Sequence, residues 1–116
     1  MTKTILIVED DPFIAMDLQD TFEGAGYTVL GPVAAVDPGL KVIRETKPDV
    51  AMLDYNLGRE TSIPLAHKLD EIEIPYVFLS GQVDRVITSA LGTKHKVMTK
   101  PFNAEHLISY VDSIVA

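Results

Sequence analysis

The sequence predicts a doubly wound α/β domain, in which five strands form one parallel sheet with helices on both faces. Three observations predict it. Short apolar runs recur five times along the 116 residues, and continuous runs without alternation suit strands buried on both faces. Helical periodicity fills the stretches between them. Strand and helix therefore alternate, as in an open sheet joined by crossover helices. Right-handed crossovers leave few topologies, and the strand order 2-1-3-4-5 is the common one at this size.

Each element has its own local cause. Ile5-Leu6-Ile7-Val8 is the first strand. Asp11 is placed to cap the first helix, and Pro12 suits its first position. Ile14, Leu18, Phe22 and Ala25 follow at helical spacing, and Gly24 and Gly26 end the helix. Tyr27-Thr28-Val29-Leu30 is the second strand, closed by Gly31-Pro32. Asp37 and Pro38 open a second helix through Leu40, Ile43 and Arg44. Val50-Ala51-Met52-Leu53 is the third strand, entered from Pro48. Thr61 or Ser62 opens a third helix, with Pro64 in its first turn and Leu65 and Leu69 on its apolar face. Tyr76-Val77-Phe78-Leu79 is the fourth strand, entered from Pro75. Residues 84–91 read as a fourth helix stopped by Gly92, and Val97-Met98-Thr99 as the fifth and weakest strand. Asn103 caps a fifth helix with Leu107, Ile108, Val111 and Ile114 on one face.

Composition bounds what such a domain can do. A hydrophobic share of 47% and a charged share of 23% are those of an ordinary globular protein. No linker, repeat or low-complexity tract divides the chain, so residues 1–116 read as one domain. With no cysteine, a disulfide framework, a thiolate metal site and a cysteine nucleophile are all excluded. A net charge of −7 is the wrong sign for a free nucleic-acid binder, so no direct nucleic-acid partner is expected. No apolar run approaches the ~18 residues of a spanning helix. The apolar stretch after Met1-Thr2-Lys3-Thr4 is too short for a signal-peptide core. A cytoplasmic protein without membrane attachment is the expectation.

The polar residues carry the chemistry. In a parallel sheet the C-terminal strand ends share one edge, and ligands bind there. The first strand is followed by Glu9-Asp10-Asp11, the third by Asp54, the fourth by Ser80, and the fifth by Lys100-Pro101. Any one of these has a plain explanation, since an acid after a strand is commonly a solvated turn or a helix cap. Their coincidence at one edge is harder to dismiss. Clustered carboxylates repel and raise one another's pKa unless a cation joins them. His67, His95 and His106 fall away from the strand ends, so the expected ligands are oxygens, which suit Mg²⁺, Mn²⁺ or Ca²⁺. An ammonium and a hydroxyl facing a carboxylate and a hard cation make a site for a phosphoryl group. A carboxylate there can itself be the nucleophile, giving an aspartyl-phosphate.

With these residues in order, the chain resembles the receiver domain of bacterial two-component response regulators over residues 5–115. The resemblance is carried by Ile-Leu-Ile-Val-Glu-Asp-Asp at the N-terminus, Pro-Asp-Val-Ala-Met-Leu-Asp in the middle and Lys-Pro-Phe near the end. It implies the flavodoxin-like receiver fold, whose strand order is that given above, so the order is not an independent sign. It implies a phosphorylation-dependent switch that is not an enzyme on external substrates, although it takes part in its own phosphotransfer and dephosphorylation. A sensor histidine kinase would supply the phosphoryl group, and an unidentified downstream protein would read the result.

Residue by residue, the resemblance makes Asp54 the phosphoacceptor. Asp10 becomes the main metal-binding acid, with Glu9 as its partner through water, and Asn56 adds a backbone carbonyl. The metal it implies is Mg²⁺, with Mn²⁺ as a substitute. Ser80 and Lys100 become the groups that contact the phosphoryl, and the bond before Pro101 is expected to be cis. No ligand role passes to Asp11. One departure stands out. Where the family carries a switching Tyr or Phe, this chain has Val97. Phe78-Leu79-Ser80-Gly81 is similar to the F-x-[S/T]-G stretch of a subset of alphaproteobacterial receivers served by a distinct class of histidine kinases.

Other classes fit less well. A flavodoxin-like FMN protein needs a phosphate-binding loop after the first strand, where this chain has three acids. A Mg²⁺-dependent phosphohydrolase with an aspartyl nucleophile needs a second acid two residues on, where Asn56 stands. A receiver-like fold that is never phosphorylated would not need the complete residue set. Met16, Met52 and Met98 read as core filler, and His67, His95 and His106 as solvated. Gly24 and Gly26 lack the strand–GxGxxG context of a dinucleotide site.

Overall fold

A computed structural model describes residues 3–81 and 97–115. The helix expected over residues 84–91, Gly92 and His95 lie outside them. The elements in chain order are β1 (Thr4–Val8), α1 (Pro12–Gly24), β2 (Thr28–Val33), α2 (Val36–Glu45), β3 (Val50–Asp54), β4 (Asn56–Leu57), β5 (Glu60–Thr61), α3 (Ile63–Glu71), β6 (Tyr76–Ser80), β7 (Val97–Thr99) and α4 (Ala104–Val115). Five strands form a parallel sheet in the order β2-β1-β3-β6-β7. With the small antiparallel β4-β5 hairpin set aside, this is the predicted order 2-1-3-4-5.

Both faces of the sheet are covered, as the unbroken apolar runs require. On one face Leu6, Val8, Ala51, Leu53 and Phe78 pack with Val36 and Ile43 of α2 and Leu65 and Leu69 of α3. On the other, Ile5, Ile7, Met52, Val77 and Leu79 meet Leu18 and Phe22 of α1 and Leu107 and Val111 of α4. Successive strand residues alternate between these two cores, and each large side chain taken out of water contributes about 1.5–3 kcal/mol.

The predicted caps of α1 and α4 are formed. Asp11 Oδ1 accepts from the Phe13 N–H at 2.9 Å and the Ile14 N–H at 3.3 Å. Asn103 Oδ1 accepts from the His106 N–H at 3.0 Å. Four details differ from the sequence reading. β2 does not close at Gly31-Pro32 but runs through it to Val33; its register with β1 slips there, between Leu6 and Val8, and an edge strand with such an irregularity tolerates a proline. α2 begins at Val36, one residue before the predicted Asp37-Pro38, and its N-cap residue Ala35 offers no side-chain acceptor. The β4-β5 hairpin was not expected. Met16 is 61% exposed rather than in the core. The apolar stripe of α1 runs through Ala15, Leu18 and Phe22, which turns Met16 and its i−3 neighbour Phe13 to solvent.

Candidate functional site

The C-terminal edge of the sheet gathers the predicted residues. Glu9 and Asp10 follow β1, Asp54 is the last residue of β3, Ser80 the last of β6, and Lys100 follows β7. The β1–β3 register pairs Val8 with Leu53, so Glu9 and Asp54 leave the sheet at the same level. The β3–β6 register pairs Asp54 with Leu79, which sets Ser80 one step beyond. Glu9 is 2% exposed, Asp54 5% and Ser80 2%. Asp10 and Asn56 are exposed.

Lys100 joins the two buried acids. Its Nζ lies 3.0 Å from Glu9 Oε1 and 3.1 Å from Asp54 Oδ1. The Lys100 backbone N–H donates to Ser80 O at 3.0 Å, which fixes the start of the loop after β7 against the end of β6. The peptide bond between Lys100 and Pro101 is cis. The remaining Glu9 oxygen, Oε2, accepts from the Asp11 N–H at 3.0 Å. Asp11 thus serves as helix cap and, through its backbone N–H, as a donor to Glu9.

Electrostatics follow from crowding. Burial first, then the adjacent Glu9 carboxylate, push the Asp54 carboxyl up to about 7, while Lys100 pulls the other way. Burial alone would lower the Lys100 ammonium, but Glu9 and Asp54 outweigh it and hold its pKa above the ordinary value.

The residues present fit a hard divalent cation. One oxygen from each of Glu9, Asp10 and Asp54 can lie within 4.8 Å of the others. Glu9 Oε1 is buried and makes an ion pair with Lys100 without an aligned hydrogen bond, so its lone pairs are incompletely used. The donors are all oxygens, as Mg²⁺ or Mn²⁺ prefers.

Val97, expected to stand where the family carries a switching aromatic, is among the described residues. Val97 lies in β7 opposite Phe78 and packs, half-buried, against the core that includes Tyr55 and Phe78. The aromatic mass there comes from β6 and from Tyr55, the residue after β3. Tyr55 and Tyr76 both stand edge-on to Phe78, with ring centroids 5.9 and 5.5 Å away.

Sequence reasoning missed Gly58 and Glu60. Gly58 turns the β4-β5 hairpin with φ +75°, a conformation that favours glycine. A Cβ placed there would come within 4.0 Å of Asp10 Oδ2, so the hairpin backbone runs beside the acid pair. The signal was a lone glycine between Leu57 and the polar pair Arg59-Glu60.

Comparison with known proteins agrees with this geometry. The family model described as "Response regulator receiver domain" matches residues 5–112. The phyllosphere-induced regulator PhyR of Methylorubrum extorquens is 29% identical over 114 residues, covering 96% of this chain and 43% of PhyR. The TorCAD operon transcriptional regulatory protein TorR of Escherichia coli O157:H7 is 33% identical over 120 residues, covering 99% of this chain and 51% of TorR. The chain thus spans about half the length of the curated relatives it matches. The solution structure of SdrG from Sphingomonas melonis Fr1 superposes with a TM-score of 0.83 at 35% identity, covering 99% of this chain and 98% of SdrG. Among the described residues, no helix is long and apolar enough to cross a membrane. The buried acids, the bridging lysine and the sheet order therefore have one common origin: the chain belongs to the response regulator receiver domain family.

Proposed function

We propose that this receiver is a phosphorylation-dependent switch in which Asp54 accepts a phosphoryl group from a phosphohistidine of a sensor histidine kinase. The observation that carries this reading is the Lys100 ammonium held within 3.1 Å of both Glu9 and Asp54 at one strand edge, with Asp10 beside them. An Asp54 oxygen attacks phosphorus, a P–O bond forms, and the P–N bond breaks with its electron pair left on the donor imidazole. Glu9, Asp10, Asp54 and the Asn56 carbonyl would hold the Mg²⁺, or Mn²⁺ in its place, and the bound ion would supply positive charge to the transferring oxygens. Lys100 gives up part of its contact with Asp54 to face a phosphoryl oxygen, and the Ser80 hydroxyl donates to another.

The chain is not an enzyme on external substrates in this reading. It takes part in its own phosphotransfer and dephosphorylation, works in the cytoplasm, and changes its binding to a downstream protein. It contacts neither nucleic acid nor membrane directly. The test is incubation with acetyl phosphate or a candidate kinase, with and without Mg²⁺, followed by mass spectrometry to locate the phosphate. Mg²⁺-dependent labelling on Asp54 is expected. Equal labelling of Asp54→Asn would sink the assignment.

A further inference from the structure

The hairpin that follows Asp54 ties the site to a helix on the far side of the loop. Glu60, on β5, sends its side chain to α2, where Oε2 accepts the Val36 backbone N–H at 2.9 Å. Val36 is the first residue of α2, and the preceding Ala35 supplies no acceptor of its own. Pro38, in the same turn, has no N–H to offer. Glu60 is thus the side chain that caps α2, from a position 24 residues away in sequence. Its negative charge also suits the positive end of the helix dipole. The helix it grips is anchored in turn, since Val36 and Ile43 are buried against the sheet.

The other strand of the hairpin carries Asn56. Register pairs Leu57 with Glu60 and Asn56 with Thr61, so a restraint on Glu60 is a restraint on Asn56 in the adjacent pair. Leu57, between them, is buried in the core below. At the turn, the Gly58 backbone stands beside the Asp10 carboxylate. The hairpin is therefore held at one side by α2 and lies beside Asp10 at its turn.

We propose that Glu60 is a positioning residue of the cation site: by capping α2 it fixes the hairpin that presents the Asn56 backbone beside Asp10 and Asp54. Coupling of this kind is reciprocal, so a cation bound at the acids tightens the first turn of α2 in return. The inference rests on the reading that Glu9, Asp10 and Asp54 hold a divalent cation.

The test titrates the full chain with Mg²⁺ by calorimetry and by amide NMR, for wild type, Glu60→Ala, Glu60→Gln and the double variant Glu60→Ala/Ala35→Ser. Affinity should fall about tenfold in Glu60→Ala, the low end for loss of a supporting partner. It should stay near wild type in Glu60→Gln, whose amide oxygen still accepts the Val36 N–H. Ala35→Ser gives α2 a cap of its own through the Asp37 N–H. It should restore thermal stability to Glu60→Ala without restoring affinity. In wild type the Val36 amide resonance should move with the same Mg²⁺ midpoint as the Asp10 amide. Wild-type affinity in Glu60→Ala overturns the inference, and so does full recovery of affinity in the double variant. Absence of saturable Mg²⁺ binding by wild type overturns the underlying cation-site reading instead, and this inference with it.

Discussion

Thr4 and Asp49 grip each other in both directions at the edge of the sheet opposite the site. Asp49 Oδ2 accepts from the Thr4 N–H at 2.7 Å and from its hydroxyl at 3.1 Å. The Asp49 N–H donates back to Thr4, to Oγ1 at 3.1 Å and to the carbonyl O at 3.1 Å. This clasp sits at the start of β1 and just before β3, where Ile5 pairs with Val50. The same register, followed to the other end, brings Glu9 level with Asp54.

Replacing Asp49 by Ala should therefore cost about 1 kcal/mol of stability near neutral pH, the usual net worth of such hydrogen bonds. The Thr4 backbone N–H, aided by its hydroxyl and by Lys3, holds the Asp49 carboxyl below its ordinary 3.8. A carboxyl with a lowered folded-state pKa stabilises fully above its unfolded value and loses that contribution as pH falls through the folded one. Chemical denaturation of wild type and Asp49→Asn should thus show a gap that is constant above about pH 5 and closes under more acid conditions. A gap that persists unchanged at pH 2 would contradict the assignment.

Asp10 is exposed, unlike Glu9 and Asp54. Asp10→Ala should therefore leave metal-free stability within about 0.5 kcal/mol of wild type. Its effect should fall on Mg²⁺ affinity, since the exposed carboxylate completes the oxygen cluster. An Mg²⁺ titration curve that does not move in Asp10→Ala would remove Asp10 from the site.

Lys100 is the cation between two buried carboxylates, at 3.0 and 3.1 Å. Removing it as Lys100→Ala leaves that pair facing each other and should destabilise the metal-free fold by about 1–3 kcal/mol. Mg²⁺ binding should survive, because the carboxylate oxygens remain, while phosphorylation on Asp54 should no longer alter partner binding. Thermal denaturation with and without Mg²⁺ measures the first effect. Loss of Mg²⁺ binding in the folded variant would show that Lys100 organises the cluster rather than only neutralising it.

The wild-type protein should itself gain stability from Mg²⁺ near neutral pH, because a divalent ion removes the repulsion among Glu9, Asp10 and Asp54. The gain should follow RT ln(1 + [L]/Kd), roughly 1.4 kcal/mol at ten times Kd. A thermal midpoint insensitive to millimolar Mg²⁺ would speak against a formed site.

The strand order came with the family resemblance, whereas the fold class, the caps at Asp11 and Asn103, and the edge at which Glu9, Asp10, Asp54, Ser80 and Lys100 collect can be read from the residues themselves. Those features are legible because they depend on local pattern. An unbroken apolar run buries both faces of a strand, and parallel strands all end at the same edge. Tertiary structure alone decided that Lys100 lies between Glu9 and Asp54, that Thr4 clasps Asp49, and that Glu60 caps α2. It also turned Met16 outward, since a methionine on a helix is apolar whichever way the helix rolls. The three contacts each set a side chain against a residue 24 to 91 positions away. Periodicity carries no information at that range, because the contact is set by how two anchored elements happen to approach, not by the residues on either side of it.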